Sequence, residues 1–113
     1  MEEWSKYRLS VKPVKKTASG VVYAGSCILH GFLIGTDGVN DPTITIYDHA
    51  TAASGEEVLP TTIFDASAYG LNGATGMYQY CANGLYLSIT TAGAAEVTVQ
   101  YTPCYYNPGH PWN

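Results

Sequence analysis

Three histidines, His30, His49 and His110, are the residues of this chain best suited to acid–base chemistry. A serine-type hydrolase needs a histidine within reach of both a nucleophile and an orienting carboxylate. Asp48 directly precedes His49, but neighbouring side chains on an extended strand point to opposite faces. No serine has the flanking glycines of a nucleophile elbow, and His30 lies in an apolar run, where it is interpreted as a satisfied strand residue. The sequence therefore predicts no catalytic residues.

Oxygen ligands for a cation are the second chemistry to consider. Asp37, Asn40 and Asp41 share one short loop, and their oxygens are of the kind that Ca²⁺ binds. The spacing of an EF-hand is absent, and aspartate and asparagine are also the usual residues of tight turns. Glu56 and Glu57 are sequence neighbours, which favours a solvated turn over the opposed acid pair of a glycosidase. We therefore expect neither a metal nor a cofactor.

The three cysteines, Cys27, Cys81 and Cys104, are odd in number and far apart along the chain. No CxxC or Cys/His spacing indicates zinc. The N-terminus also lacks the basic start and apolar run of a signal peptide. We expect buried or partly buried free thiols, with one disulfide as the alternative.

The clearest structural pattern lies between Gly84 and Tyr101. Residues 85, 87 and 89 are apolar and alternate with residues of the opposite face, and the alternation resumes at 97, 99 and 101 after a short break that contains Gly93. Two alternating runs around such a break are typical of a half-buried β-hairpin, whose apolar face must pack on a second layer. We predict that the rest of the chain is arranged around this hairpin.

Shorter strand-like runs precede it, at 21–23, 26–34, 43–48 and 77–81, while 58–60 and 63–64 form either a pair of strands or one broken strand. The run 26–34 is apolar on both faces, which predicts a central strand covered on both sides. Pro60 places its run at a sheet edge, and Asn83-Gly84 is a turn signal. The pattern predicts an all-β fold: a single β-sandwich or jelly-roll-like domain of about 7–8 antiparallel strands with extended N- and C-terminal arms.

Charge is distributed unevenly along the chain. All five basic residues fall within the first sixteen positions; they are Lys6, Arg8, Lys12, Lys15 and Lys16. The rest of the chain has seven acids and no lysine or arginine, so a basic arm (1–18) precedes an acidic sandwich domain (19–102). Fully extended, the first sixteen residues reach about 55 Å, enough to cross a neighbouring subunit. The arm either crosses to a neighbour or folds back as an edge strand of its own domain, and exchange between subunits would satisfy both.

The tail (103–113) has three prolines in eleven residues and therefore cannot lie inside a sheet. Its rigid aromatic side chains, Tyr105, Tyr106 and Trp112, are of the type enriched at interfaces. They either contact a partner or cap the open end of their own sandwich.

Composition narrows the class of partner. Charged residues make up 12% of the chain, about half the usual share, so hydroxyls, amides and tyrosines must cover the surface. Such a surface suits a protein that lies against other proteins. No stretch approaches the roughly 20 apolar residues of a membrane span. The acidic domain would repel nucleic acid, so no specific nucleic acid partner is expected.

Four segments occur in a characteristic order: a strand ending in Tyr47-Asp48, a loop of small residues at 50–55, Asn-Gly-Leu-Tyr at 83–86 and Val-Thr-Val at 97–99. Over about residues 26–102, this order resembles small virion proteins of tailed bacteriophages. The resemblance implies a β-sandwich in the assembled particle, most plainly a capsid decoration or cement protein without catalytic residues. The basic arm and the tail lie outside it.

The expected function is that of a non-enzymatic virion structural protein, assembled in the host cytoplasm, that binds the particle surface and neighbouring copies through its termini. Its expected partners are the major capsid protein or other virion proteins, and further copies of itself. The residues expected to make these contacts are Trp4, Lys6, Tyr7, Arg8, Lys12, Lys15, Lys16, Tyr105, Tyr106 and Trp112. The alternative is a host-recognition or carbohydrate-binding module of a phage tail or head fibre, with Tyr69, Tyr78 and Tyr80 stacking on sugars.

Overall fold

The computed structural model describes residues 11–67 and 72–104, and these form nine β-strands and no helix. The strands are β1 (Lys12–Lys16), β2 (Gly20–Ala24), β3 (Cys27–Thr36), β4 (Thr43–Asp48), β5 (Glu56–Ile63), β6 (Asn72–Ala74), β7 (Gln79–Cys81), β8 (Gly84–Thr90) and β9 (Ala95–Pro103). The predicted all-β sandwich is confirmed. The strand number exceeds the prediction, and β6, which has only three residues, too few to show alternation, lies in a segment without a predicted strand.

Two antiparallel sheets make up the sandwich. The first has the order β1-β9-β3-β6, and β7 pairs with β3 on the same edge as β6. The second has the order β2-β8-β4-β5. β1 and β2 lie side by side at one lateral edge of the sandwich. At the opposite edge, β5 borders the second sheet and β6 and β7 border the first.

The core lies between the two sheets and consists of the inward-facing positions of both. Its buried members are Cys27, Leu29, Phe32, Ile34, Ile44, Ile46, Cys81, Leu85, Leu87, Val97, Val99 and Tyr101. Full burial of each aliphatic side chain contributes about 1.5–3 kcal/mol. The burial of these residues confirms the inward faces predicted for the runs 43–48, 84–90 and 95–101, although Ile89 is only partly buried.

The predicted hairpin between Gly84 and Tyr101 is wrong in its pairing. β8 pairs with β2 and β4, whereas β9 pairs with β1 and β3 in the other sheet. The break at 91–94 carries the chain across the sandwich, so the apolar faces of the two strands meet the same core from opposite sides. Alternation determines which face of a strand is buried, but it does not determine the strand's partners.

The predicted burial of β3 on both faces is also wrong. The pairing of β3 with β9 shifts by one residue between Leu29 and Gly31, a β-bulge. The bulge brings Phe32 and Ile34 to the same inner side as Cys27 and Leu29, and all four are buried. The other face of the strand is only partly covered.

Loops gather at the two ends of the sandwich. The Asp37 end contains the loops 37–42 and 91–94, and the Asp48 end contains the loops 49–55 and 82–83. Pro60 lies in the edge strand β5, as predicted. Residues 12–16 of the basic arm form an edge strand of their own sheet. Within the described ranges, no helix could cross a membrane.

Candidate interaction surfaces

Three of the ten predicted contact residues, Lys12, Lys15 and Lys16, lie in the described part of the chain, on β1. We call this strand the basic edge. The other seven lie outside the described residues; they are Trp4, Lys6, Tyr7, Arg8, Tyr105, Tyr106 and Trp112.

The lysines of the basic edge point to both sides of the first sheet. Lys15 Nζ lies 3.6 Å from Glu96 Oε1 on the outer face, and both side chains are 59% exposed. An ion pair this exposed contributes at most about 1 kcal/mol, so Lys15 can exchange Glu96 for another carboxylate at little cost. Lys12 is exposed and Lys16 is half-buried.

Both terminal segments join the sandwich at the Asp48 end. Lys12, at the start of β1, lies opposite Tyr101 near the end of β9. Cys104 N donates a hydrogen bond to Ser26 O at 2.9 Å, which anchors the last described residue at that end. Segments 1–10 and 105–113 therefore enter and leave the described fold close together.

A polar cleft lies at the opposite lateral edge, between β5 and β7. It has a volume of about 110 Å³ and is lined by Asp48, Glu56, Glu57, Val58, Gln79 and Tyr80. We call it the acidic cleft because three of its six lining residues are carboxylates. All three lysines in the described ranges lie on β1, so no lysine lines the cleft.

The carboxylates of the acidic cleft have different roles. Asp48 Oδ1 accepts hydrogen bonds from the N–H groups of Asn83, at 2.8 Å, and Gly84, at 3.2 Å, and Oδ2 accepts one from Ala82 at 3.2 Å. Asp48 therefore holds the turn between β7 and β8. Glu56 and Glu57 are exposed to solvent at the start of β5.

An aromatic patch covers part of the outer face of the first sheet. Tyr78 is 82% exposed and Tyr80 is 58% exposed. The imidazole of His30 packs edge-on against Tyr78, with ring centroids 5.1 Å apart, and its Nε2 lies 2.8 Å from Thr102 Oγ1. Ile28 lies opposite Tyr80 across the strand pair. His30 thus has the satisfied strand position that the sequence predicted.

Asp48 and His49, considered above as members of a catalytic triad, make hydrogen bonds to different loops and not to each other. His49 Nδ1 accepts from the N–H groups of Thr51, at 3.1 Å, and Ala52, at 3.0 Å. The carboxylate of Asp48 is directed to the 82–84 turn instead. The two side chains therefore order two different loops.

The candidate calcium loop is likewise held by hydrogen bonds. Asp37 Oδ1 accepts from the N–H groups of Val39, at 2.9 Å, and Asn40, at 2.8 Å, while Oδ2 accepts from Asn40 Nδ2 and from Ala94 N. These bonds, the largest from the Asn40 backbone, hold the pKa of Asp37 well below its ordinary value. Asp41 Oδ1 accepts from Ala66 N at 2.8 Å. Among the described residues, no group of three or more His, Cys, Asp or Glu side chains could hold a metal ion.

All three cysteines are free thiols, as predicted. Cys27 and Cys81 are fully buried, and Cys104 is half-buried.

The acidic cleft was missed by sequence reasoning. Its lining residues come from the end of β4, the start of β5 and β7, which are brought together by pairing between strands far apart in the chain. The excess of acids beyond residue 16 indicated an acidic surface but gave no position for it.

Comparison of the chain with protein-family models, with curated proteins and with solved structures gave no match.

Proposed function

We propose that this protein is a non-enzymatic structural component of a tailed-phage virion, a decoration or cement protein that binds the particle surface and neighbouring copies of itself. The virion setting is supported by the sequence resemblance over about residues 26–102. The mode of binding is supported by the surface of the sandwich. Its partners are the major capsid protein or other virion proteins.

The observation that carries the proposal is the separation of charge between the two lateral edges. Every described lysine lies on the basic edge, and Glu56 and Glu57 flank the acidic cleft on the other side. The basic edge of one molecule is therefore electrostatically complementary to the acidic cleft of a second copy, or to an acidic surface on another partner. A contact between two different surfaces of the same protein is heterologous, and heterologous contacts build closed rings or open repeating arrays. Copies arranged on a particle surface could be joined in this way.

Side chains, more than backbone pairing, make the contact in this proposal. Pro13 lies in β1 and Pro60 lies in β5, and proline on an edge strand interrupts the ladder that another strand would extend. Charges then orient the partners, while the aromatic residues of segments 1–10 and 105–113 supply apolar area.

Charge reversal tests the self-association. A triple variant, Lys12→Glu, Lys15→Glu and Lys16→Glu, and a double variant, Glu56→Lys and Glu57→Lys, are compared with the parent protein by sedimentation velocity at low and high salt. We expect the parent to associate at low salt, each variant alone to remain smaller, and an equimolar mixture of the two variants to regain the association. Asp65→Lys, an exposed change at the other end of the sandwich, is the control and should behave as the parent does.

Binding to particles tests the virion role. The full chain is mixed with particles of the phage that encodes it, and the pellet is analysed for a fixed, high copy number. We expect saturable binding that falls at least several-fold when residues 1–10 are removed, a truncation that leaves β1 in place. Absence of the full chain from saturated particles would contradict the proposal even if the purified protein self-associates.

A second candidate function, recognition of a glycan, is favoured by the aromatic patch. Exposed Tyr78 and Tyr80 lie beside the hydrogen-bonding groups of His30 and Thr102, a combination of ring faces and polar groups that suits a sugar. Tyr69, the third tyrosine of this hypothesis, lies outside the described residues. Glycan binding lost in Tyr78→Ala and Tyr80→Ala, but retained in the charge reversals, would favour this function over the first.

A further inference from the structure

Two buried cysteines lie side by side across adjacent strands. Cys27 begins β3 and Cys81 ends β7, and the register of this antiparallel pair places the two residues directly opposite each other. Neither has any exposed surface, and both belong to the core. Opposed residues of an antiparallel pair have Cα atoms about 4.5–5.5 Å apart, which falls within the range that a disulfide spans.

We propose that Cys27 and Cys81 form an oxidation site, at which a small two-electron oxidant joins their sulfur atoms in a cross-strand disulfide that ties β7 to β3. This proposal is independent of the virion function, since it rests only on the strand register and on the burial of the two thiols.

The environment of the pair determines the order of the chemical steps. The hydrogen bond between the thiols and their burial raise the pKa of Cys27, whereas the same hydrogen bond lowers the pKa of Cys81. Because β7 borders the sheet, its local opening exposes Cys81, and the Cys81 thiolate then attacks the oxidant, for example the N=N bond of an azodicarboxamide such as diamide. The Cys27 sulfur then displaces the reduced nitrogen from Cys81. The two thiol hydrogens and two electrons end on the resulting hydrazine.

The strand register favours Cys81 over Cys104 as the partner of Cys27. Pro103, the last residue of β9, lies opposite Cys27 and is buried on the inner side. Cys104 follows the end of β9, is only half-buried and lies opposite neither cysteine of the pair. Its backbone N–H is bonded to Ser26 rather than to either cysteine of the pair.

Access to the buried pair requires only a local opening. β7 has three residues and borders the sheet, so its release from β3 exposes Cys81 without unfolding the sandwich. The disulfide would close a loop of about 54 residues and so constrain the unfolded chain. It would also fix the strand that carries Tyr80, which lines the acidic cleft.

Peptide mapping tests the proposal on the full chain. The folded protein is treated with diamide, remaining thiols are alkylated in denaturant, and the chain is cleaved after glutamate. Glutamates at 56, 57 and 96 place each cysteine on its own peptide: Cys27 on 4–56, Cys81 on 58–96 and Cys104 on 97–113. We expect 4–56 joined to 58–96, with the mass of two hydrogens lost and the link reversed by a dithiol reductant. The denaturation midpoint of the oxidised protein should move to higher denaturant.

Two variants make the outcome decisive. Cys104→Ser should give the same linked peptides, whereas Cys81→Ser, whose hydroxyl can still donate to the Gln79 carbonyl that Cys81 Sγ contacts, should give none. Failure of the parent and of Cys104→Ser to form the link under diamide, or a link that includes 97–113 as the main product, would overturn the proposal.

Discussion

One aspartate organises each end of the sandwich, but the two carboxylates bind groups at different distances along the sequence. Asp37 follows β3 and binds mainly the N–H groups of its own turn, at Val39 and Asn40, with one bond to Ala94 across the end of the sandwich. Asp48 ends β4 and binds only the distant turn at 82–84, which is 34 to 36 residues away in sequence.

The same residue type thus stabilises a local turn at one end and a contact between distant segments at the other. The bonds of Asp37 to its own turn form as soon as that turn forms, as in an ordinary Asx turn. The bonds of Asp48 exist only when β4 and β8 have paired in the second sheet. The Asp48 end also holds the acidic cleft, the cysteine pair and the starting points of both terminal segments. Function in our proposal is therefore concentrated at the end that depends most on tertiary structure.

Replacement of a glycine by alanine should give the largest difference in stability between the two ends. Gly84 has φ of 151°, and a Cβ there would lie 2.5 Å from Tyr23 O and 3.1 Å from His49 O. Gly84→Ala should therefore lower the free energy of unfolding by about 2–4 kcal/mol, because strain in φ adds to a clash with backbone. Urea denaturation measures the change.

Gly93→Ala is the matched variant at the Asp37 end. Its Cβ would meet side-chain atoms of Asp37 and Asn40, which can shift at the cost of some of their hydrogen bonds, whereas the atoms that a Cβ at Gly84 would meet belong to the backbone. Its effect should be clearly smaller than that of Gly84→Ala. Equal losses of stability would contradict the view that the Asp48 end is the more tightly determined of the two.

Removal of the Asp48 carboxylate should have the next largest effect. Asp48→Ala leaves the N–H groups of Ala82, Asn83 and Gly84 without their side-chain acceptor and should cost about 1–2 kcal/mol, since water can replace part of the loss. Glu56→Gln, in the same cleft, should change stability by less than about 0.5 kcal/mol. A large loss in the glutamine variant would show that Glu56 has a structural role too.

The smallest effect concerns Asp37 and depends on pH. Because the pKa of Asp37 is lower in the folded state than in the unfolded chain, its contribution is present above the ordinary value of about 3.9 and is lost as the pH falls toward the folded value. Asp37→Asn should therefore be less stable than the parent at neutral pH, and the difference should shrink in acid. Urea midpoints at a series of pH values measure it; a constant difference would contradict the assignment.

The sequence alone was sufficient to predict the local features of the fold. Alternation identified the inward faces of β4, β8 and β9, Pro60 identified an edge strand, and the spacing of the cysteines indicated free thiols. These features follow from the backbone geometry and side-chain chemistry of short segments. For the same reason the turn held by Asp37 was predictable, whereas the long-range role of Asp48 was not.

Only the tertiary structure decided how these segments combine. It placed β8 and β9 in facing sheets, used a bulge between Leu29 and Gly31 to turn both halves of β3 inward, and brought Cys27 opposite Cys81. It also assembled the acidic cleft from residues up to 32 positions apart in sequence. The physical reason is that alternation specifies which side of a strand avoids water, while the choice of neighbouring strand depends on the packing of the whole core.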